Sequence, residues 1–170
     1  MTLATLEAVF RALNARGVRY LVAGGVAVNV HGYQRLTHDL DLVLQLDSGN
    51  VRAALQALED LGYGPLLPVR AEEFADPDVR RDWIETRNLQ VFSLVSEGHP
   101  GLTVDLFATE PFDFPREYEG ALVAEVAPGL RVRFVRLAAL IAMKEAASRP
   151  RDLDDVEHLR ALAEEIEGGR

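Results

Sequence analysis

Cysteine is absent from this 170-residue chain, which excludes disulfides, thiolate nucleophiles and cysteine-ligated zinc or iron–sulfur centres. Histidine is scarce, and His31, His38, His99 and His158 have no spacing that suits a helical metal pair. Any metal bound here should therefore be hard and oxygen-ligated. Lysine is almost missing: of 18 basic residues 17 are arginine and one, Lys144, is lysine. No apolar run approaches the roughly 18–20 residues of a membrane span, and Met1 to Glu7 lacks the basic start and apolar core of a signal peptide. The expected compartment is the cytoplasm, with no membrane partner. A content of 48% hydrophobic and 26% charged residues, with 13 glycines and 8 prolines, fits neither a disordered nor a fibrous chain and suits one globular domain. The formal net charge of −9 argues against gripping DNA through many phosphates, although a local basic patch leaves an RNA substrate open.

Leu3, Leu6, Val9, Phe10 and Leu13 share one face at helical spacing, so residues 3–15 are expected to form an amphipathic helix ended by Gly17. Tyr20 to Ala23 reads as a short strand, Gly24-Gly25 as a turn, and Val26 to His31 as a helix. Asp39-Leu40-Asp41-Leu42-Val43-Leu44 begins with alternating aspartate and leucine, the pattern of a strand. A helix is expected from about Val51 to Leu61, an irregular stretch from Pro65 to Ala75, and a short helix from Asp76-Pro77 through Trp83. That short helix could place Arg80 and Arg81 at the rim of a cleft, with Trp83 packed in the core. Gln90–Val95 and Leu102–Phe107 read as two antiparallel strands, Arg131–Val135 as another, and 136–147 and 150–165 as two closing helices.

Asp39 and Asp41 project from the same side of their strand, ~6.5–7 Å apart. Two ionised carboxylates so placed repel unless water or a cation compensates them. A solvent-facing strand surface is the plain alternative. Asp105 sits in a similar apolar strand, on a face shared with Thr103 and Phe107. If the two strands are neighbours, it completes a group of three carboxylates, a donor set suited to magnesium or manganese. Gly24 and Gly25 allow a phosphate to approach the backbone at a helix N-terminus, though glycine is also ordinary at a tight turn. Lys144 falls on the stripe Leu137, Leu140, Ile141, Lys144, which should face inward. There it either snorkels to water or directs its ammonium into a cleft at a phosphate or an acidic residue. Arg35 and Thr37 immediately precede the acidic strand and could touch a phosphate or orient Asp39. His38 is expected to be structural.

The string Val22-Ala23-Gly24-Gly25-Val26-Ala27, continued by Gly32, Arg35, Thr37, Asp39 and Asp41, resembles the signature of the polymerase-beta-like nucleotidyltransferase superfamily. In that signature a Gly-Gly or Gly-Ser turn precedes an Asp-x-Asp strand, and a later strand supplies a third acid, which Asp105 matches. The closest likeness is to the branch of AbiEii-type toxins and stand-alone nucleotidyltransferases. The segment Lys144 to Asp155 is similar to that branch's lysine, basic pair and Asp-x-x-Asp. Gly25 departs from the serine of many relatives, and Arg151 from a common lysine.

The resemblance implies a mixed α/β (α+β) nucleotidyltransferase fold, a small mixed sheet flanked by helices with the C-terminal helices beside the cleft. Residues 1–135 would be the core and 136–170 a helical segment packed on it, together one compact domain. It implies transfer of a nucleoside monophosphate from an NTP to an acceptor hydroxyl with Mg2+ or Mn2+. Asp39, Asp41 and Asp105 would hold metal, and Lys144 would join them in catalysis. Gly24, Gly25, Arg35, Thr37, Arg149 and Arg151 would bind the NTP. Arg149, Arg151 and Asp152 read equally well as surface residues and a helix cap. The acceptor could be tRNA, a protein side chain or a small-molecule hydroxyl, and a toxin role would bring an antitoxin partner. The alternative is a non-catalytic nucleotide-binding or protein-interaction module of the same fold.

Overall fold

Alternation along Asp39–Leu44 (β2), Val91–Val95 (β4) and Thr103–Phe107 (β5) leaves each strand with one apolar face, and burying those faces together builds the sheet. In the computed structural model, which describes residues 2–168, Leu40, Leu42, Leu44, Phe92, Leu94, Val104 and Leu106 are all essentially inaccessible to solvent. The sheet is completed by β1 (Tyr20–Val22), β3 (Gly64–Pro65), β6 (Leu122–Ala127) and β7 (Leu130–Phe134), in the order β3-β4-β5-β2-β1-β7-β6. β2 runs parallel to β5 and β1 parallel to β7, while the remaining neighbours are antiparallel, so the sheet is mixed.

The helices follow from apolar stripes and local caps. α1 (Leu3–Ala15) buries Leu6, Val9, Phe10 and Leu13 and packs on α3 (Ser48–Glu59), which is capped by the Asp47 side chain. The stretch expected to be irregular holds the two-residue β3 and a 3₁₀ turn at Ala71–Ala75. Phe74 from that turn and Trp83 from α4 (Pro77–Arg87) both stack on Phe92, with ring centroids 4.6 and 5.8 Å away. α4 extends one turn beyond Trp83 and stops at Asn88, whose left-handed φ of 51° ends the helix. Arg80 does not rim a cleft. It is buried, and its guanidinium donates to the carbonyls of Phe74 (2.7 Å) and Leu46 (3.2 Å). Arg81 pairs on the surface with Asp78. Asp76 caps α4 by accepting from the N–H groups of Asp78 (2.9 Å) and Val79 (3.4 Å). Asp76→Ala is expected to cost about 1 kcal/mol, read as a lower urea midpoint.

The sequence pattern assigns no element between Phe107 and Arg131, where the structure has α5 (Phe114–Gly120) and the edge strand β6. α5 starts with the same signal as α4, a capping aspartate, here Asp113, with proline in the first turn. Its seven residues are too few to show periodicity. It is held instead by Glu117, buried, which accepts from the Arg136 guanidinium at 2.6 and 2.9 Å and from the Arg136 N–H at 2.7 Å. α6 (Leu137–Ala147) and α7 (Pro150–Gly168) pack on each other and on α2 (Gly24–His31), closing the end of the sheet where β2 begins. No helix among the described residues is long and apolar enough to cross a membrane.

Candidate active site

β2 and β5 lie side by side in parallel, in the register Asp39 to Thr103 and Asp41 to Asp105. Side chains in register on neighbouring strands share a face, so Asp41 and Asp105 stand next to each other, their Cα atoms roughly 5 Å apart. Asp39 shares that face at the exposed start of β2. The three carboxylates border one cavity of about 440 Å³, floored by the sheet and walled by α6. Gly24, Gly25, Arg35, Thr37, Lys144, Arg149 and Arg151 border it too, so the candidates for metal and NTP binding line a single cleft, while Arg80 and Arg81 lie away from it. Among the described residues no three acidic or histidine side chains are arranged to enclose a metal ion by themselves.

Electrostatics inside the cleft are strained. Burial, the neighbouring Asp105 and the more distant Asp39 push the Asp41 carboxyl up to about 6, against partial relief from Lys144 and the Gly25 N–H. Burial also raises Asp105, while the Ser93 hydroxyl, its register partner on β4, and Arg149 pull it partly back. Asp105 Oδ1 is buried with no hydrogen-bond partner. A buried, unsatisfied carboxylate oxygen beside a second carboxylate is costly unless a cation arrives.

The glycine turn is shaped by close approach. Ala23 N–H donates to the Asp41 carbonyl at 2.9 Å, tying the end of β1 to β2. Gly24 follows with a left-handed φ of 58°, and a Cβ placed on it would stand 1.8 Å from Asp41 Oδ2. Both glycines therefore belong to the first turn of α2, two residues earlier than periodicity places the helix start. Gly24→Ala is expected to cost about 1 kcal/mol through backbone strain alone. It should also force the Asp41 carboxylate aside, so the loss in urea midpoint should exceed that of a strained turn alone.

Lys144 does reach an acidic group. Its Nζ lies 2.8 Å from Asp152 Oδ1 and 2.7 Å from Asp155 Oδ2, and only 7% of the residue is exposed. Arg35 meets the same Asp155 from the other side, Nε to Oδ1 at 2.7 Å and Nη2 to Oδ2 at 2.9 Å. Two cations and two anions thus form a neutral buried cluster joining α6, α7 and the loop before β2. Asp155, wholly inaccessible, is its centre; the sequence places it only as the last acid of the Asp-x-x-Asp segment and gives it no role, because its partners Arg35 and Lys144 come from other elements. Asp152 is not a helix cap: it lies inside α7, accepts from Lys144 and borders the cavity, and its Oδ2 is buried without a partner. Arg151 donates to the Leu36 carbonyl, holding the same loop.

The sequence profile of a family described as "Nucleotidyltransferase of unknown function (DUF6036)" matches residues 2–167. The chain belongs to this family. No curated protein matches this nucleotidyltransferase in sequence. Among solved structures it resembles the lincosamide antibiotic adenylyltransferase LnuA, lincomycin-bound, with TM-score 0.58 and 16% identity over 95% of this chain and 98% of that one. It also resembles ANT(2")-Ia in complex with adenylyl-2"-tobramycin, with TM-score 0.57 and 15% identity over 94% and 93% of the two chains. Likeness at such identity establishes the fold. Family and fold together are those of a nucleotidyltransferase, consistent with the polymerase-beta-like resemblance of the glycine turn and Asp-x-Asp strand.

Proposed function

We propose that this nucleotidyltransferase moves a nucleoside monophosphate from an NTP to a hydroxyl of a small polar molecule, releasing pyrophosphate. The observation that carries the reading is the in-register, half-buried pair Asp41 and Asp105 beside the Gly24 turn. The donor set fits a hard divalent cation: oxygen only, one buried oxygen without a partner, and too few ligands to close a cage, as suits magnesium or manganese that keeps water and takes up phosphate. Asp39, Asp41 and Asp105 would hold it. When bound, such a cation neutralises the triphosphate and offsets the charge that develops at the reacting phosphorus.

The chain's own residues do the rest. Gly24 and Gly25 leave the first turn of α2 open to phosphate oxygens, and Arg35, Thr37, Arg149 and Arg151 line its approach. Lys144, already paired with two carboxylates, acts as a fixed positive charge near Asp41 rather than as a free phosphate ligand. Asp105, made more basic by burial, takes the proton of the acceptor hydroxyl. The acceptor oxygen then bonds to the α-phosphorus as the bond to the pyrophosphate oxygen breaks.

A small acceptor is supported by the net charge of −9, which offers little to grip RNA. The fold neighbours point the same way, since one is solved with lincomycin and the other with adenylyl-2"-tobramycin. Consumption of NTP suits a cytoplasmic reaction. Incubation with each α-labelled NTP, magnesium and fractionated cell extract tests the reading. Label should appear in the small-molecule fraction. Label in tRNA or protein would replace the acceptor class and bring an antitoxin partner into consideration. NTP binding without transfer to any fraction would leave a binding module.

A further inference from the structure

Strand order divides the cleft into two halves. β5 lies between β2 and β4, and the Gly24 turn packs against Asp41 on β2, so the turn and β4 stand on opposite sides of Asp105. Register fixes what lies on the β4 side. Asp105 is opposite Ser93 and Phe107 is opposite Val91, so Phe107 and Val91 share the face of Asp105, one step of ~6.5–7 Å further along the strands. Both are half-buried and border the cavity, and Leu140 and Met143, one turn apart on α6, line it as well. Together they make an apolar shelf with the amide of Gln90 at its exposed rim. None of these five side chains ionises. The charged side chains of the cavity come instead from β2, from Asp105, from the loop before β2 and from the segment Lys144 to Asp152.

We propose that this shelf is the acceptor subsite and that the acceptor is an uncharged hydroxylated ring, a neutral glycoside. The proposal rests on the nucleotidyl-transfer reading above and names the acceptor in it. Asp105 takes the acceptor proton, so the reacting hydroxyl must come within about 2.6–3.2 Å of that carboxylate. The glycine turn, Arg35 and Thr37 hold the triphosphate on the β2 side, which leaves approach from the β4 side. A sugar ring has a face of C–H groups and an edge of hydroxyls. Its C–H face packs on the Phe107 ring and the Met143 thioether, while its edge meets the Gln90 amide and Asp105. An ammonium or phosphate group laid on the same shelf would lose water and gain no partner. The proton of the hydroxyl passes to Asp105, the oxygen bonds to the α-phosphorus, and pyrophosphate leaves with the electron pair of the broken bond.

The test uses the full chain with magnesium chloride, the preferred α-labelled NTP, and small molecules of a cell extract passed first through cation- and anion-exchange resins. Label should transfer to the unretained fraction, and periodate, which cleaves vicinal diols, should abolish its acceptor activity. Phe107→Leu keeps an apolar side chain and removes the flat ring. It should raise the KM for the unretained fraction about tenfold, while the KM for NTP and the maximal rate stay within about twofold of wild type. Val91→Gln crowds the shelf without adding charge and should show the same split, and an unchanged KM for NTP reports an intact fold in both variants. Acceptor activity that stays on either resin, label found only in tRNA or protein, or an unchanged acceptor KM in both variants overturns the proposal while leaving the enzyme reading in place. So do equal losses for acceptor and NTP. If no fraction takes up label, the nucleotidyl-transfer reading itself fails and this proposal falls with it.

Discussion

Asp41→Asn is expected to lower labelled nucleotidyl transfer by about 10²–10³-fold or more, and at the same time to make the free protein more stable. The two effects share one cause. The Asp41 carboxyl stands at about 6 in the folded protein, against an ordinary 3.8, so the folded state keeps a proton that the unfolded chain has released between pH about 4 and about 6. Folding stability therefore falls as pH rises through that window and levels off above it. The full cost is at most ~3 kcal/mol, from about 1.4 kcal/mol for each pH unit of displacement. Asparagine cannot ionise and removes the penalty. Urea unfolding in the presence of a chelator should then show Asp41→Asn more stable than wild type above pH 6, with the curves converging below pH 4. Asp105→Asn should act in the same direction. The two gains should not add, because each carboxylate raises the other's cost. Full transfer activity in both variants would remove the acidic pair from the site.

Asp155→Ala is expected to destabilise the protein by about 3–5 kcal/mol, the cost of leaving buried charges uncompensated. Lys144 and Arg35 both pair with this wholly inaccessible carboxylate, and without it Arg35 loses its carboxylate partner while Lys144 keeps Asp152 alone. Asp154→Ala is the control. Asp154 lies one residue away on the exposed side and accepts from the Tyr33 hydroxyl at 3.0 Å, so its loss should cost less than about 1 kcal/mol. Replacing Lys144 by methionine in the Asp155→Ala background should recover part of the stability while failing to restore transfer. Urea midpoints for the three variants check the ranking, and equal midpoints for Asp154→Ala and Asp155→Ala would refute the cluster's role.

The legible features were those carried by short-range pattern. Asp39 and Asp41 were readable because two charges on alternate positions of an otherwise apolar strand conflict with strand chemistry unless they face a ligand or water. Gly24-Gly25 was readable as a turn, though not as a pair of close contacts, since the Asp41 and Thr37 atoms that exclude a Cβ come from β2 and the loop before it. Local pattern leaves Arg80 free to rim a cleft, because nothing in it says that an arginine will spend its donors on the Phe74 and Leu46 carbonyls. β6 has no clear alternation of exposure because it is the edge strand, with Leu122 and Val123 both exposed.

By itself the sequence determined the helices and strands with strong periodicity, the absence of thiol chemistry, and the acidic, glycine-flanked character of the centre, all properties of neighbouring residues along the chain. Only the tertiary structure decided that Asp41 and Asp105 stand in register, that Thr37 fills the place beside Gly25, and that Asp155 joins Arg35, 120 positions away, to Lys144. Those pairings depend on strand order and on how α6 and α7 close over the sheet. Burial then sets their energies, because a charge costs little in water and much inside a protein.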